Sequence, residues 1–154
     1  MNKLDLQRVI NTPDQPRQQQ FQHWLDSALK QQSGDTETVI RIVNIDESKQ
    51  LNQRYRQQNK PTNVLSFPFE APPGIRIDLL GDLVICAPIM ATEAEQQKKT
   101  AEAHWAHIVI HGVLHLLGFD HMEDEDAHRM ETEEIKILHT LGFANPYTTE
   151  NYTT

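Results

Sequence analysis

Three histidines near the middle of the chain have the residue type and the spacing of a metal site. They lie in the segment HGVLHLLGFDH as His111, His115 and His121. Residues four apart on an α-helix share a face, so His111 and His115 can point to one place. Gly118 favours the end of the helix and a chain reversal, after which His121 can return a third imidazole. Three neutral imidazoles with one open position are the ligand set of a catalytic zinc site, so we predict one zinc ion per chain.

A histidine pair at this spacing is by itself a weak sign, because most such pairs bind no metal. Here the surrounding residues, 101–117, are apolar on nearly every side, which predicts a buried helix. Several histidines inside a core cost free energy unless each finds a partner. Burial, the glycine turn and the third histidine together favour the metal interpretation.

Other polar residues near the three histidines are assigned to supporting roles. His104 and His107 lie on the same stripe of the helix, but at 1.5 Å per residue they are about 10 and 6 Å from His111 along its axis. We therefore place both in the core or in the shell around the ligands. Asp120 is a candidate acceptor for the second N–H of a ligating imidazole. His128 and His139 are expected on the surface.

The elements that must position the histidine helix can be located from periodicity. Apolar and β-branched runs predict strands near residues 4–10, 39–43, 65–69 and 79–87, with Pro68 placing the third at a sheet edge or a bulge. Gly81 inside the last strand suggests a bulge or a close approach of another backbone. Helical periodicity predicts helices near 21–29, after a cap at Asp46 or Ser48, before and through the histidine segment, and around 130–141. We predict an α+β domain with a mixed four-stranded sheet, about five helices and the histidine helix buried against the sheet.

Length and charge constrain the chain only broadly. Its 154 residues suit one domain over 1–154, in which 143–154 is expected to be a frayed tail. The net charge of −8 would normally disfavour nucleic-acid binding, but much of the acidity lies between residues 123 and 134. A basic group at Arg54, Arg56 and Lys60 and a divalent metal can still make one cleft positive. The net charge of the whole chain therefore does not exclude nucleic-acid binding.

The cellular compartment is predicted from the cysteine content and from the lack of long apolar segments. Cys86 is the only cysteine, so no internal disulfide can form and a reducing compartment is expected. The N-terminal residues lack the apolar core of a signal peptide. No apolar run approaches the ~20 residues needed to cross a bilayer. We expect a cytoplasmic protein with no membrane partner.

The chemistry of the metal site depends on the residue beside its first ligand. Zinc peptidases carry H-E-x-x-H, in which the glutamate is the general base. Here the spacing agrees but Gly112 occupies the glutamate position, which removes the usual machinery of peptide hydrolysis. Phosphodiester cleavage instead needs a Lewis acid and a cation for the phosphoryl oxygens. We predict Arg56 as that catalytic cation.

Three segments together resemble one known family. HGVLHLLGFDH, preceded by YRQQNKPTNVLSFPFE and LLGDLVICAP, is similar to the bacterial YbeY family of metal-dependent, single-strand-specific endoribonucleases. The resemblance covers about residues 51–142 and implies a mixed four-stranded sheet. It implies that His111, His115 and His121 bind zinc and that Arg56 is an active-site arginine. It also implies maturation of the 3′ end of small-subunit ribosomal RNA, ribosome quality control, and contacts with the ribosome and the Era GTPase.

Two alternatives remain open at this point. One is a zinc peptidase-like hydrolase, against which Gly112 argues. The other is a non-catalytic ribosome-assembly factor with a structural metal, whose fold would melt on chelation because structural zinc contributes folding free energy.

Overall fold

Four strands and five helices form the part of the chain that the computed structural model describes, residues 1–75, 77–120 and 122–147. In order they are β1 (Asn2–Arg8), α1 (Gln18–Ala28), β2 (Thr36–Val43), α2 (Ile45–Arg56), β3 (Val64–Pro68), β4 (Leu79–Cys86), α3 (Ala87–Gln96), α4 (Ala101–Leu116) and α5 (Asp124–Thr140). The predicted α+β fold class, with four strands and about five helices, is confirmed.

The strands form one mixed sheet in the order β1-β2-β4-β3. The pairs β1–β2 and β2–β4 are parallel, whereas β3 runs antiparallel to β4. Each parallel connection contains a helix, as such crossovers require. β3 forms one edge of the sheet, which agrees with Pro68. Proline has no N–H to donate to a ladder, so within sheets it is found mainly on edge strands.

The histidine helix α4 packs on one face of this sheet beside α1. Its apolar residues and those of α1 cover the inner side chains of β2 and β4, and the largest members of this core are fully buried: Phe21, Leu25, Ile40, Ile42, Leu83, Ile85, Trp105 and Ile110. A smaller apolar cluster formed by Val43, Leu65, Val84 and Cys86 lies apart from this core. Each fully buried side chain of this size contributes about 1.5–3 kcal/mol. The predicted burial of α4 against the sheet is confirmed.

Two glycines allow close packing around β4. Gly81 has a φ of +150°, and a Cβ there would lie 2.5 Å from the Phe67 carbonyl oxygen of β3. The β2–β4 register also shifts beside it, between Glu37 and Thr38. Both the bulge and the close backbone approach expected at Gly81 are therefore present. At Gly112 on α4, a Cβ would lie 2.8 Å from a methyl group of Leu83, so this position faces β4.

Helix α2 and the loop after it are held by side chains that the sequence pattern assigned incorrectly. We expected Asp46 or Ser48 to cap this helix, but the Asn44 side chain accepts from the Glu47 N–H at 3.0 Å. Ser48 instead bonds the Thr62 backbone through its hydroxyl, at 2.9 and 3.0 Å. These bonds tie the first turn of α2 to the end of the loop before β3.

The segment after α5 differs from the tail expected over 143–154. The Phe143 ring contacts Trp24 edge to face at 6.4 Å, and the Tyr147 hydroxyl donates to Glu134 at 2.6 Å. The residues from 148 onward lie outside those that the structure describes. Among the described helices, none combines the length and the apolar character needed to cross a membrane.

Candidate metal centre

The side chains of His111 and His115 meet near the C-terminal end of α4. They lie one helical turn apart, with ring centroids 4.7 Å from each other and ring planes at 83°. Their Nε2 atoms face one another at 3.2 Å. The helix is long enough to bring this pair to the edge of the core, where the His111 side chain keeps 23% of its surface exposed.

A buried carboxylate orients the His111 ring. Glu134 of α5 is 0% exposed, and its Oε1 atom lies 2.8 Å from His111 Nδ1. Burial by itself would raise the pKa of Glu134, but hydrogen bonds from His107, His111 and Tyr147 outweigh it and lower that pKa to about 2. The carboxylate is therefore ionised at neutral pH and can only accept. It follows that His111 donates through Nδ1–H.

A backbone carbonyl orients the His115 ring, which is also held through its Nδ1 atom. His115 Nδ1 lies 3.0 Å from the Phe119 carbonyl oxygen, which can only accept. That carbonyl is positioned by the end of α4, where the Gly118 N–H donates to the His115 oxygen and the Phe119 N–H donates to the Leu114 oxygen, each at 3.0 Å. This is a Schellman turn, and Gly118 supplies the positive φ of +101° that it requires. The predicted end of the helix at this glycine is confirmed.

The two tautomers make the histidine pair suitable for a cation. When Nδ1 carries the proton, Nε2 of a neutral imidazole presents a lone pair. Two such lone pairs 3.2 Å apart repel each other unless a proton or a cation is shared between them. Two nitrogens bound to tetrahedral zinc at about 2.05 Å are about 3.3 Å apart. The observed separation of the Nε2 atoms therefore fits a zinc ion.

A second grouping of metal-ligand atoms shares His111. One ligand atom each from His107, His111 and Glu134 lies within 4.8 Å of the others. In this group, however, Glu134 already accepts from His107 Nε2 at 3.2 Å and from His111 Nδ1 at 2.8 Å. Both bonds would have to lose their protons before a metal could enter, and the carboxylate is fully buried. Glu134 therefore orients His111, and the Nε2 pair is the candidate face for a metal ion.

The Nε2 pair lies in a cleft of about 860 Å³ between the ends of α2 and α4, along the β3 edge. Arg56, the last residue of α2, is exposed and lies on the wall of this cleft. Further polar groups on the wall include Asn52, Gln58, Lys60, Thr62, Asn63, Ser66 and Asp120. A guanidinium, several amides and the two facing imidazoles are thus available to one extended ligand.

The other candidate residues of the sequence are placed as follows. His121 lies outside the described residues, so its role as third ligand stays a prediction. Asp120 lines the cleft, and its carboxylate accepts a hydrogen bond from the Met122 N–H at 3.3 Å. His104 is 2% exposed and pairs with Glu93 at 2.8 Å, away from the ligand pair. His107 bonds Glu134, which suits the supporting role expected for it.

Glu134 is the functional residue that sequence reasoning missed. The charge pattern shows it only as one of the acidic residues between 123 and 134. A signal was nevertheless present, because Met130, Glu134 and Leu138 recur every four residues and all three are buried. A carboxylate on the apolar stripe of a helix requires a buried partner, and the histidines of α4 were the available donors.

Comparisons with known proteins identify related sequences and a related fold. The sequence model of a family described as endoribonuclease YbeY matches residues 4–142. A protein of Colwellia psychrerythraea named endoribonuclease YbeY is 53% identical over 148 residues, which cover 94% of this chain and 96% of that protein. Among solved structures, the solution structure of a Thermotoga maritima protein superposes with a TM-score of 0.58 at 26% identity, covering 92% of each chain.

Proposed function

This chain belongs to the YbeY family of endoribonucleases, and we propose that it is a zinc-dependent, single-strand-specific endoribonuclease that matures the 3′ end of small-subunit ribosomal RNA. The observation that carries the metal dependence is the facing Nε2 pair of His111 and His115, with both rings fixed through Nδ1. Membership of the family supports the class of reaction, cleavage of a phosphodiester bond within RNA.

One zinc ion per chain would be held by His111, His115 and, as the sequence spacing predicts, His121. When bound, it would supply a Lewis acid for a phosphoryl oxygen and lower the pKa of a water molecule. The hydrogen bond from His111 to Glu134 would keep Nε2 directed at the metal and would make the ring a stronger donor to it.

Arg56 is the group we assign to the phosphate. Its guanidinium has five N–H donors in a planar fork that matches two phosphate oxygens. Gln57 directly after it adopts the left-handed conformation, with φ of +56°, which ends α2 at the cleft. Asn52, one turn before Arg56, donates to the Lys60 carbonyl oxygen at 2.8 Å, which ties the C-terminal half of this helix to the loop after it. Arg56 is therefore positioned to balance charge that develops on the phosphoryl oxygens.

The peptidase alternative is disfavoured by the packing of Gly112. A zinc peptidase needs a glutamate at this position to accept the proton of the attacking water. A Cβ there would come within 2.8 Å of Leu83, which is fully buried in β4. A side chain at this position would therefore enter the core and not the cleft.

The cellular context is proposed from the family alone. We propose that the protein acts in the cytoplasm on ribosomal RNA, takes part in ribosome quality control, and contacts the small ribosomal subunit and the Era GTPase. If it were instead an assembly factor with a structural metal, chelation would melt the fold.

The proposal is tested by incubating the purified protein with a single-stranded RNA, with and without a zinc chelator. We expect cleavage only without chelator, and a circular dichroism spectrum that chelation leaves intact. The variant His115→Ala should lose stoichiometric zinc and cleavage together, whereas His139→Ala, which removes an exposed histidine of α5, should lose neither. Full cleavage by zinc-free His115→Ala would refute the metal-dependent mechanism.

A second variant tests the assignment of the cation. Arg56→Ala should retain zinc but cleave at least tenfold more slowly, because a charge-assisted contact to the phosphate is lost. Lys3→Ala provides a control that also removes one positive charge, from β1 at the opposite edge of the sheet. Equal turnover in Arg56→Ala and Lys3→Ala would remove Arg56 from the mechanism.

A further inference from the structure

Tyr55 is an aromatic residue that the structure leaves unusually open. It lies one residue before the end of α2, and 51% of its surface is exposed. Its ring contacts Phe67 of β3 edge to face, with centroids 5.2 Å apart and ring planes at 72°. The contact fixes the ring from one side and leaves much of it open to solvent. An exposed, immobilised ring of this kind is suited to stacking.

Tyr55 is the chain neighbour of a residue that lines the cleft containing the histidine pair. Tyr55 directly precedes Arg56, which lines that cleft. Its partner Phe67 lies between Ser66 and Pro68, which also line the cleft. Tyr55 therefore adjoins the cleft wall through α2, whereas its partner Phe67 points to the opposite face of β3 from Ser66 and Pro68.

The surroundings of the ring carry the charge that a nucleic-acid ligand needs. The Arg54 guanidinium carbon lies 5.4 Å from the centroid of the Tyr55 ring. Arg56 and Lys60 line the cleft itself, in a chain whose net charge is −8. Aromatic rings for the bases and cations for the backbone are the combination that binds single strands.

We propose that Tyr55 is a base-stacking subsite, which receives an unpaired nucleobase next to the phosphate held at Arg56. This inference rests on the proposed ribonuclease function and names the feature of the substrate that the cleft selects. A base inside a duplex is already stacked and paired, whereas a base of a single strand can turn onto the ring. Tyr55 is therefore a specificity-determining residue that favours single-stranded RNA, and it takes any of the four bases because each has a π-face.

The test compares substitutions that separate stacking from packing. Tyr55→Leu keeps an apolar side chain against Phe67 but removes the ring, and Tyr55→Trp enlarges the ring. Removing one stacked base weakens binding by roughly five- to a hundredfold. With the zinc-loaded protein and a 12-nucleotide single-stranded RNA, we expect KM to rise about tenfold in Tyr55→Leu, to stay level or fall in Tyr55→Trp, and kcat to change little in either.

A second readout detects the stacked base directly. A 2-aminopurine base placed beside the cleavage site should change its fluorescence on binding to the unchanged protein and to Tyr55→Trp, but not on binding to Tyr55→Leu. Ile45→Ala is the control, because it removes an exposed apolar side chain (42% exposed) from the other end of α2, about 15 Å away. Thermal unfolding of each variant verifies that the fold is retained.

The outcomes separate this inference from the proposed function. If the unchanged protein neither binds nor cleaves the RNA, both are overturned. If it cleaves, and Tyr55→Leu matches Ile45→Ala in KM and in 2-aminopurine fluorescence, only the stacking subsite is overturned. If Tyr55→Leu raised the dissociation constants of single-stranded and duplex RNA by the same factor, the stacking subsite would also be overturned, because its loss weakens only the binding of unpaired bases.

Discussion

Replacing Glu134 with glutamine should weaken zinc binding without unfolding the protein. Glutamine keeps the shape of the side chain and one carbonyl oxygen that can still accept from His111 and His107. Its amide group would face the Tyr147 hydroxyl, which can rotate to accept from it. The substitution therefore removes mainly the negative charge, at a position 2.8 Å from Nδ1 of a predicted ligand.

The expected magnitude follows from that single bond. A hydrogen bond to a charged group contributes about 1.5–3 kcal/mol and a neutral one about 0.5–1.5 kcal/mol, so the bond from His111 weakens by about 1–1.5 kcal/mol. Loss of the charge also reduces the attraction of the ring for a dication. Substitutions of this kind lower metal affinity roughly 10–100-fold, which corresponds to about 1.4–2.8 kcal/mol. We expect Glu134→Gln to lie within this range.

The measurement is a competition titration with a zinc-binding dye, accompanied by thermal unfolding of the metal-free proteins. The control is Glu133→Gln, which makes the same change at the adjacent position of α5, where the side chain lines a different cavity. Zinc affinity should fall in Glu134→Gln and stay level in Glu133→Gln. If both variants bound zinc as tightly as the unchanged protein, the carboxylate would have no part in the metal centre and the tautomer argument would be wrong.

Three further predictions concern stability. Gly81→Ala should destabilise the fold by about 3 kcal/mol, because φ is +150° and the new Cβ would lie 2.5 Å from the Phe67 oxygen. In urea unfolding, this loss of stability should be far larger than that of Gly74→Ala, where φ is +81° but nothing lies within 4 Å of the new Cβ. Tyr147→Phe removes a 2.6 Å hydrogen bond to a carboxylate and should cost about 1.5 kcal/mol, and an unchanged unfolding midpoint would show that this bond contributes nothing. Burial raises the pKa of Glu93, but hydrogen bonds from His104 and Asn63 outweigh burial and set that pKa below 4.5. The ionised carboxylate therefore stabilises the fold above pH 4.5, and this stabilisation is lost as the pH falls through the pKa of the folded state. The stability advantage of the unchanged protein over Glu93→Gln should therefore shrink below pH 4.5 in unfolding experiments, and an advantage that grew there would contradict the assignment.

The helices and strands could be predicted because their signals are local. Apolar periodicity located α1, α4 and α5, and alternation or β-branching located the four strands, with β3 at an edge because of Pro68. Periodicity does not show which of several neighbouring polar residues caps a helix. The cap of α2 was therefore predicted wrongly, at Asp46 or Ser48, whereas the structure has it at Asn44. The packing of Phe143 and Tyr147 after α5 depends on partners more than ten residues away in the sequence, so no local pattern could indicate it.

The sequence by itself determined which donor atoms the site can contain. Helical geometry places residues four apart on one face wherever the helix lies, so the pairing of His111 with His115 and the turn at Gly118 could be read from spacing alone. The protonation of those rings was decided by tertiary structure, because it depends on Glu134 from α5 and on the Phe119 carbonyl. The cleft was also a tertiary outcome, since Arg56 and the histidine pair are separated by more than fifty residues and meet only through the packing of α2, β3 and α4. Spacing along one helix fixes relative directions of side chains, whereas the distance between two elements is fixed only by the core that packs between them.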